Sequence, residues 1–405
     1  MAWNIDCSDP LSPRLGAEDF TQGIRARADA VAAVAANNVF SVDLEARFPA
    51  EAIDTMRAQG LLAIMVPQDL GGEGASLSDV VDVCYRLAVA CSSTAMIYAM
   101  HQIMVACLVR HSRNNPWHAR FLSRICAEQL LLASSTTEGR HGGDIRASDA
   151  PVTYVGSRIN LEKQATVISY GANADAIVTT ARRAPDAPDS DQVLVAFPRE
   201  TYSLEPLLEW DTLGMRGTCS AGFILRASGE RDQILRDPYE KIHAQTMAPM
   251  AHLTWASVWT GIAADALQRA QAFMRHAARR TSGQVPPGAV HLTRARSSLE
   301  TLRWLVTSFL RRYERALHSD DALVSLDFQT MTNLIKVEAS ELAVSIVLSA
   351  FRACGLSGYR NDTEFTLGRH IRDILSSPIM INNERILSNL GPAALMSTVP
   401  KWLCS

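Results

Sequence analysis

Four titratable side chains stand where they could exchange a proton with a substrate. His101 lies in the apolar run YAMHQIMVACL, His252 lies in APMAHLTW, and His370 and Glu384 flank the segment IRDILSSPIMINN. Histidine gains or loses a proton near neutral pH, and a carboxylate acts as a base when it faces that proton in a dry pocket. The competing interpretation for each is a packed helix residue or a solvated one. The sequence therefore permits acid–base chemistry without assigning it.

Hydroxyl side chains cluster at the ends of two predicted strands. The segment SSTTE supplies Ser135, Thr136 and Thr137, and the segment VISYG supplies Ser169. Strand ends rich in Ser and Thr offer hydroxyl and backbone N–H donors to a ligand that is rich in acceptors. The competing interpretation is that these hydroxyls cap turns. We treat them as candidate ligand contacts.

The composition excludes several classes of protein. The 405 residues are 47% hydrophobic and 20% charged with a formal net charge of -3, so the chain is globular and has no basic excess for nucleic acid. The first residues, MAWNIDCSDPLSPRLG, contain no basic region followed by an apolar run, which predicts a cytoplasmic protein without a membrane anchor. The eight cysteines include no C-x-x-C pair, and we predict no metal site.

Hydrophobic periodicity divides the chain into three parts. Helical periodicity dominates residues 1–127, short β-branched runs separated by turn residues fill 128–236, and helical periodicity returns over 237–405. We predict an N-terminal helical domain, a central antiparallel β domain and a C-terminal helical bundle. The segments WASVWTGIAADAL and ELAVSIVLSAF carry more apolar surface than one core needs, which predicts a homodimer or homotetramer.

Six segments between residues 48 and 389 resemble, in order, motifs of the acyl-CoA dehydrogenase family. They are VPQDLGGEG, TTEGRHGGD, LEKQATVISYGANADAIVTTAR, LGMRGTCS, ACGLSGY and GRHIRDI. In the second segment Thr137, Glu138 and Asp144 match the family pattern, whereas Gly139 and Gly143 replace its Pro and Ser. The chain is therefore similar to a divergent member of that family.

The resemblance implies an acyl-CoA dehydrogenase-like fold whose C-terminal part is a four-helix bundle, with FAD bound where the β domain meets the bundle. Ser169 stands at a Thr position of the family pattern, and Val167 stands at its Trp position. Both are expected beside the flavin ring, together with the hydroxyls of Ser135, Thr136 and Thr137, because the ring needs donors around its nitrogen atoms and carbonyl oxygens. Electron-transfer partners or a flavin reductase are implied as well.

The resemblance also implies contacts to the FAD pyrophosphate. Arg279 stands at an R-x-x-F-G position, with Ser282 replacing the Phe, and Arg352 stands at a Gln position before the loop that contains Gly355. Cations bind pyrophosphate, and in this family some of them come from another subunit. An exposed arginine at a helix end is the competing interpretation for Arg279 and Arg352.

The base expected of a family dehydrogenase is missing. The usual glutamate position falls on Ile381, and the alternative position on the long helix falls near Ala251. His252 and Glu384 lie close to these positions in sequence and are the candidate replacements. His101 and His370 are the histidines that an oxygenase on this fold would place around reduced flavin.

The sequence is compatible with three functions. We favour FAD-dependent α,β-dehydrogenation of an acyl group carried on coenzyme A or on an acyl carrier protein. The first alternative is a flavin-dependent monooxygenase fed by a separate reductase. The second is a flavin-binding protein that has lost its chemistry. Fold similarity alone does not choose among them, because the chemistry resides in the site.

Overall fold

The N-terminal part is a helical domain built around one buried helix. The computed structural model describes residues 17–112, 114–139, 145–280 and 284–396. Helix α4 has the length and hydropathy of a membrane span, but 89% of its apolar window is buried inside the chain, as in the core helix of a folded domain. The helices are α1 (Ala17–Leu44), α2 (Ala50–Ala58), α3 (Leu77–Ala90), α4 (Ser92–His111) and α5 (Pro116–Glu128).

The central part contains two sheets. One has the strand order β1-β4-β5 and the other β2-β3-β7-β6. All neighbouring strands are antiparallel except β1 and β4, which run parallel. Strands β4 and β5 are buried along nearly their whole length, whereas β3 alternates buried and exposed residues because one face is solvated. The strands are β1 (Leu132–Ser135), β2 (Thr153–Val155), β3 (Arg158–Ala165), β4 (Ala176–Arg182), β5 (Gln192–Pro198), β6 (Tyr202–Leu208) and β7 (Gly222–Glu230).

The C-terminal part is a bundle in which α7, α8 and α10 pack against one another. A π-helical turn, His243–Met247, leads directly into α7. Gly261 lets α7 approach α3 closely, because a Cβ there would lie 2.5 Å from the carbonyl oxygen of Tyr85. The helices are α6 (Tyr239–Ile242), α7 (Ala248–Arg280), α8 (Ala289–Ala316), α9 (Asp320–Val324), α10 (Leu326–Cys354), α11 (Leu356–Tyr359), α12 (Gly368–Ile374) and α13 (Asn383–Met396).

The predicted fold class, helical domain, β domain and helical bundle, is confirmed. The boundaries at 127 and 236 stay predictions. The segments WASVWTGIAADAL and ELAVSIVLSAF are covered largely by this chain itself, so they do not support oligomerisation in the way the sequence suggested. Gly143, Asp144 and Ser282, on which parts of the family resemblance rest, lie outside the described residues.

A buried carboxylate joins the three parts. Asp373 in α12 accepts a hydrogen bond from the Ser92 hydroxyl at 2.7 Å and one from the Met215 N–H, also at 2.7 Å. Ser92 begins α4, and Met215 belongs to the turn LGMRGTCS of the β domain. Next to it, Arg372 donates to the Leu213 carbonyl at 3.0 Å and pairs with Asp43 at the end of α1. The Arg-Asp pair of GRHIRDI is therefore an interdomain clamp.

Candidate functional site

Two buried hydroxyls without a partner mark the end of β1. The Oγ of Ser135 and the Oγ1 of Thr137 are both buried, and neither makes a hydrogen bond within the part of the chain that the structure describes. Thr136 between them is half-buried. Because a buried hydroxyl is nearly always hydrogen-bonded in a folded protein, this pair fits an acceptor-rich ligand lying against the strand end. A flavin ring has such acceptors at its nitrogens and carbonyl oxygens.

Lys163 holds this strand end in place. Its buried ammonium donates to the Ser135 carbonyl at 3.1 Å and to the Thr180 carbonyl at 2.8 Å, and it lies 3.3 Å from the carboxylate of Glu138. Burial lowers the pKa of Lys163 to about 8, and the Glu138 carboxylate opposes that shift. The backbone around SSTTE is therefore fixed from behind, while its hydroxyls stay free to bind.

The turn VISYG is tied to the same strand. Tyr170 has a left-handed backbone, with φ of 45°, and its hydroxyl donates to the carbonyl of Leu132 in β1 at 2.8 Å. The half-buried hydroxyl of Ser169 accepts from the hydroxyl of Ser220 at 2.8 Å. Val167 is 38% exposed at the start of the turn. Tyr170 thus joins the two hydroxyl-bearing segments that the sequence suggested for flavin.

No carboxylate occupies either base position of the family. Ile381 is half-buried in a left-handed conformation, with φ of 50°, which is strained for a β-branched residue. Ala251 is buried in α7. Glu384 points to solvent from the first turn of α13, so it lies on the surface and not against a pocket. The geometry gives no support to Glu384 as the base.

Both ring nitrogens of His101 are used by the backbone. Nε2 lies 2.7 Å from the carbonyl oxygen of Leu62 and must donate, so Nδ1 accepts from the N–H of Leu132 at 3.0 Å. Burial lowers the pKa of His101 to about 4. His101 is therefore neutral at pH 7 and orients the first residue of β1. It supports the hydroxyl-bearing strand from behind.

His252 has an acceptor nitrogen to offer. Its Nδ1–H donates to the carbonyl of Thr332 in α10 at 2.7 Å, which leaves the lone pair on Nε2. Burial lowers the pKa of His252 to about 4. Lys336, one helical turn beyond Thr332, donates to the Ile381 carbonyl at 2.7 Å. His252 and Ile381 are thus held by neighbouring turns of one helix.

His370 belongs to a buried ionic network. Its Nε2 lies 2.5 Å from the carboxylate of Asp265 in α7, and its buried Nδ1 has no partner. Burial and the adjacent Arg369 lower the pKa of His370, while Asp265 opposes that shift. The Nη1 of Arg369 donates to the Ser92 hydroxyl oxygen at 2.9 Å. The network couples α7 and α12 to the interdomain clamp.

The candidate pyrophosphate residues share one end of the bundle. Arg279 and Arg352 are exposed in the last turns of α7 and α10. A Cβ on Gly288 would lie 2.5 Å from Met274 and 2.8 Å from the carbonyl of Ala353, so these two helix ends are adjacent. Gly355 follows at once, exposed and with φ of 54°. This end lies open for a ligand or a second copy.

Lys163, Tyr170 and Lys336 organise the site but were not predicted from the sequence. Lys336 is the only lysine in α10, surrounded there by apolar residues, and that isolation was the available signal. The sequence contained no signal for Tyr170, because its left-handed backbone is rare outside glycine and its hydroxyl contacts a residue 38 positions away.

Comparison with known proteins identifies the family. The family model described as acyl-CoA dehydrogenase, N-terminal domain, matches residues 19–129, and the model of the C-terminal domain matches residues 253–377. Together they span more than half of the chain. The chain belongs to the acyl-CoA dehydrogenase family.

Members with different named activities are similar to this chain. A Pseudomonas putida protein described as a probable FMNH2-dependent monooxygenase, SfnC, is 22% identical over 360 residues, covering 86% of this chain and 88% of its own. The human mitochondrial short-chain specific acyl-CoA dehydrogenase is 25% identical, covering 82% and 79%. The crystal structure of FMN-bound TdsC from Paenibacillus sp. A11-2 superposes with a TM-score of 0.82 at 18% identity, covering 94% and 98%, and shows a shared fold.

Proposed function

We propose that the chain is a flavin-dependent monooxygenase that receives reduced flavin from a separate reductase. The observation that carries this proposal is that neither family base position holds an acid. Ile381 and Ala251 are apolar, and Glu384 faces solvent. Removing the α-proton of a thioester needs a positioned base, whereas oxygen chemistry on reduced flavin does not. The named activities of SfnC and of the TdsC relatives support the same choice.

The flavin contacts follow from the same residues. We propose that the Ser135 and Thr137 hydroxyls donate to the ring and that Ser169 lies at its edge, since the first two are buried without partners. FMN fits this proposal because SfnC is named for FMNH2 and TdsC is seen with FMN. If FAD binds instead, Arg279 and Arg352, exposed in the last turns of α7 and α10, are the cations that we propose for its pyrophosphate. Bound reduced flavin would react with oxygen, and the residues of this chain would bind and orient the flavin.

Anaerobic flavin titration tests the proposal. The purified protein is expected to be colourless, to bind FMNH2 more tightly than FMN, and to change the rate at which pre-reduced FMNH2 reacts with oxygen on mixing, relative to FMNH2 free in buffer. Octanoyl-CoA is expected to leave the flavin of the reconstituted protein oxidised. A yellow protein with tightly bound FAD that octanoyl-CoA bleaches would instead establish dehydrogenation. A protein that binds neither flavin redox state would reject both activities.

A further inference from the structure

One face of α7 meets one face of α10 along a set of polar side chains that we call the donor seam. It consists of His252, Trp255 and Trp259 of α7 and Thr332 and Lys336 of α10. The spacings of three and four residues place each set on one helix face. The ring centroids of His252 and Trp255 are 6.0 Å apart, those of Trp255 and Trp259 are 6.5 Å apart, and the Lys336 ammonium lies 5.8 Å from the Trp259 centroid.

The seam has more donors than acceptors. The indole nitrogens of Trp255 and Trp259 and the Thr332 hydroxyl are buried, and none of them makes a hydrogen bond to a residue that the structure describes. An indole N–H can only donate, and an unpaired buried donor is uncommon in a folded protein. Trp259 and Thr332 are fully buried, but Trp255 is half-exposed, so its ring connects the seam with the surface.

The donor seam contains one cation, Lys336, and the carboxylates of Glu341 and Glu384 lie close enough to oppose the lowering of its pKa by burial. The Lys336 ammonium donates to two backbone carbonyls and to Asn383, so its hydrogen bonds are used while its charge acts on the seam. The facing His252 is neutral at pH 7, and the nearby Glu341 accepts from the Asn383 amide at 2.8 Å. Free donors, two aromatic faces and a buried cation together suit a small anion with an apolar body.

We propose that the donor seam binds the anionic head, a carboxylate or a sulfinate, of a small aromatic acid. Its oxygens accept hydrogen bonds from the indole nitrogens of Trp255 and Trp259 and from the Thr332 hydroxyl. The seam adjoins Ile381, because Lys336 holds the carbonyl of that residue at 2.7 Å. A head group bound there leaves the body of the acid close to the family's base position. The statement that this acid is the substrate rests on the proposed function. The statement that the donor seam binds the acid does not.

Indole proton signals report this binding directly. The chain contains seven tryptophans. In deuterated protein with ¹⁵N-labelled indoles and without flavin, benzenesulfinate is expected to move two indole proton signals downfield, as hydrogen bonding does. Trp255→Phe and Trp259→Phe each delete one of the moving signals and so assign them. The signal of Trp304, whose side chain is 70% exposed, and that of Trp210, which already donates to the Met215 carbonyl at 3.3 Å, are internal controls.

Matched variants and ligands separate the possible results. Thr332→Val keeps the side-chain shape and is expected to weaken benzenesulfinate binding about threefold to tenfold, whereas Thr307→Val on the exposed face of α8 has no effect.

Benzoate is expected to act like benzenesulfinate, and neutral benzyl alcohol is expected to leave the indole signals in place. Unmoved signals at millimolar benzenesulfinate mean that water satisfies the donors, and they overturn the proposal. Equal shifts with benzyl alcohol overturn it too, because the site is then merely apolar. Shifts in a protein that leaves the reaction of FMNH2 with oxygen as fast as in buffer reject only the oxygenase.

Discussion

The ammonium of Lys336 lies 2.7 Å from the carbonyl oxygen of Ile381, the residue that stands where the family places its base. The same ammonium lies 2.7 Å from the Asn383 side-chain oxygen and 3.4 Å from the Pro378 carbonyl. A buried cation from α10 thus fixes the loop before α13 and its left-handed residue. Burial lowers the pKa of Lys336 to about 8, so it is mainly charged at pH 7. In this chain the loop is held by a lysine behind it.

Replacing Lys336 by Met is expected to destabilise the fold and to loosen this loop. Each buried acceptor left unpaired costs about 1–3 kcal/mol, and removing the buried charge returns part of that, so we expect a net loss of about 1–3 kcal/mol. Urea unfolding measures the loss, and amide hydrogen exchange at residues 378–386 locates it. Lys241→Met, at a partly exposed lysine 3.4 Å from Asp237, is the control and should change stability little. Unchanged exchange in the loop would show that Lys336 does not anchor it.

Substitution of Gly214 by Ala is expected to disrupt the interdomain clamp. A Cβ at that position would lie 2.1 Å from the carbonyl oxygen of Arg372, which is backbone and cannot move aside. We expect a loss at the upper end of the about 1–3 kcal/mol that is typical of overpacking in a core. Gly23→Ala in α1 is the matched control, since its Cβ would meet nothing within 4 Å, and it is expected to stabilise slightly. Equal thermal unfolding midpoints for the two variants would contradict this account.

The order of elements could be predicted because periodicity carries it. Strand β4 reads AIVTTAR and is buried from Ala176 to Ala181, and α4 is apolar around most of its circumference, apart from the buried His101 and Gln102, because it is buried on nearly all sides. The apolar pattern of α7 was less informative. It was interpreted as more apolar surface than one core needs, but Trp259 in that segment is fully buried inside this chain. Periodicity tells how many sides of a helix are apolar and not which molecule covers them.

The site could be predicted only in part because its geometry depends on contacts distant in sequence. Ser135, Thr137 and Ser169 were suggested by their hydroxyls and strand ends, which are local features. Glu384 was suggested by its distance from Ile381, but α13 begins at Asn383 and turns Glu384 outward. The left-handed backbone of Ile381 contradicts the local preference of a β-branched residue, so no sequence rule indicates it.

Acid is expected to unfold the protein partly through His101. Its pKa is lowered to about 4 in the fold and is about 6.5 in the unfolded chain, so only the unfolded chain takes up a proton between these values. Stability is therefore complete above about pH 6.5 and falls as the pH drops towards 4, by up to a few kcal/mol. His118 and His252 add to this slope because their pKa values are lowered to about 4 as well. Urea unfolding at several pH values should show a shallower slope for His101→Gln, together with lower stability at pH 7. An unchanged slope would contradict the assignment.

Removing the unpartnered hydroxyls is expected to weaken flavin binding without unfolding the protein. Ser135→Ala and Thr137→Val each delete a donor that has no partner among the described residues. One hydrogen bond contributes about 0.5–1.5 kcal/mol, so each variant should bind flavin about 2- to 12-fold more weakly. Fluorescence titration with FMN and FMNH2 measures this. Thr153→Val, on the exposed strand β2, is the control. Equal affinity in all three variants would move the flavin away from this strand end.

Introducing a carboxylate at Ile381 tests whether the missing base prevents dehydrogenation. Losing a positioned base costs about 10²- to 10⁴-fold in rate, so the wild-type protein is expected not to transfer electrons from octanoyl-CoA to its flavin anaerobically. Ile381→Glu is expected to give measurable reduction of the flavin. The unbranched Cβ of glutamate suits the left-handed backbone better than that of isoleucine, and the nearby Lys336 charge favours the ionised carboxylate.

Ile381→Gln is the matched control for that variant, because it has the same shape and hydrogen-bonding reach without the negative charge. Activity in Ile381→Glu alone shows that the pocket admits a thioester and lacks only the base. Activity in neither variant shows that the pocket excludes the thioester, which agrees with an oxygenase that handles a smaller acid. Rapid bleaching by the wild-type protein would mean that another residue already serves as the base. His252, whose Nε2 carries the lone pair beside Ala251, would then be the first residue to replace.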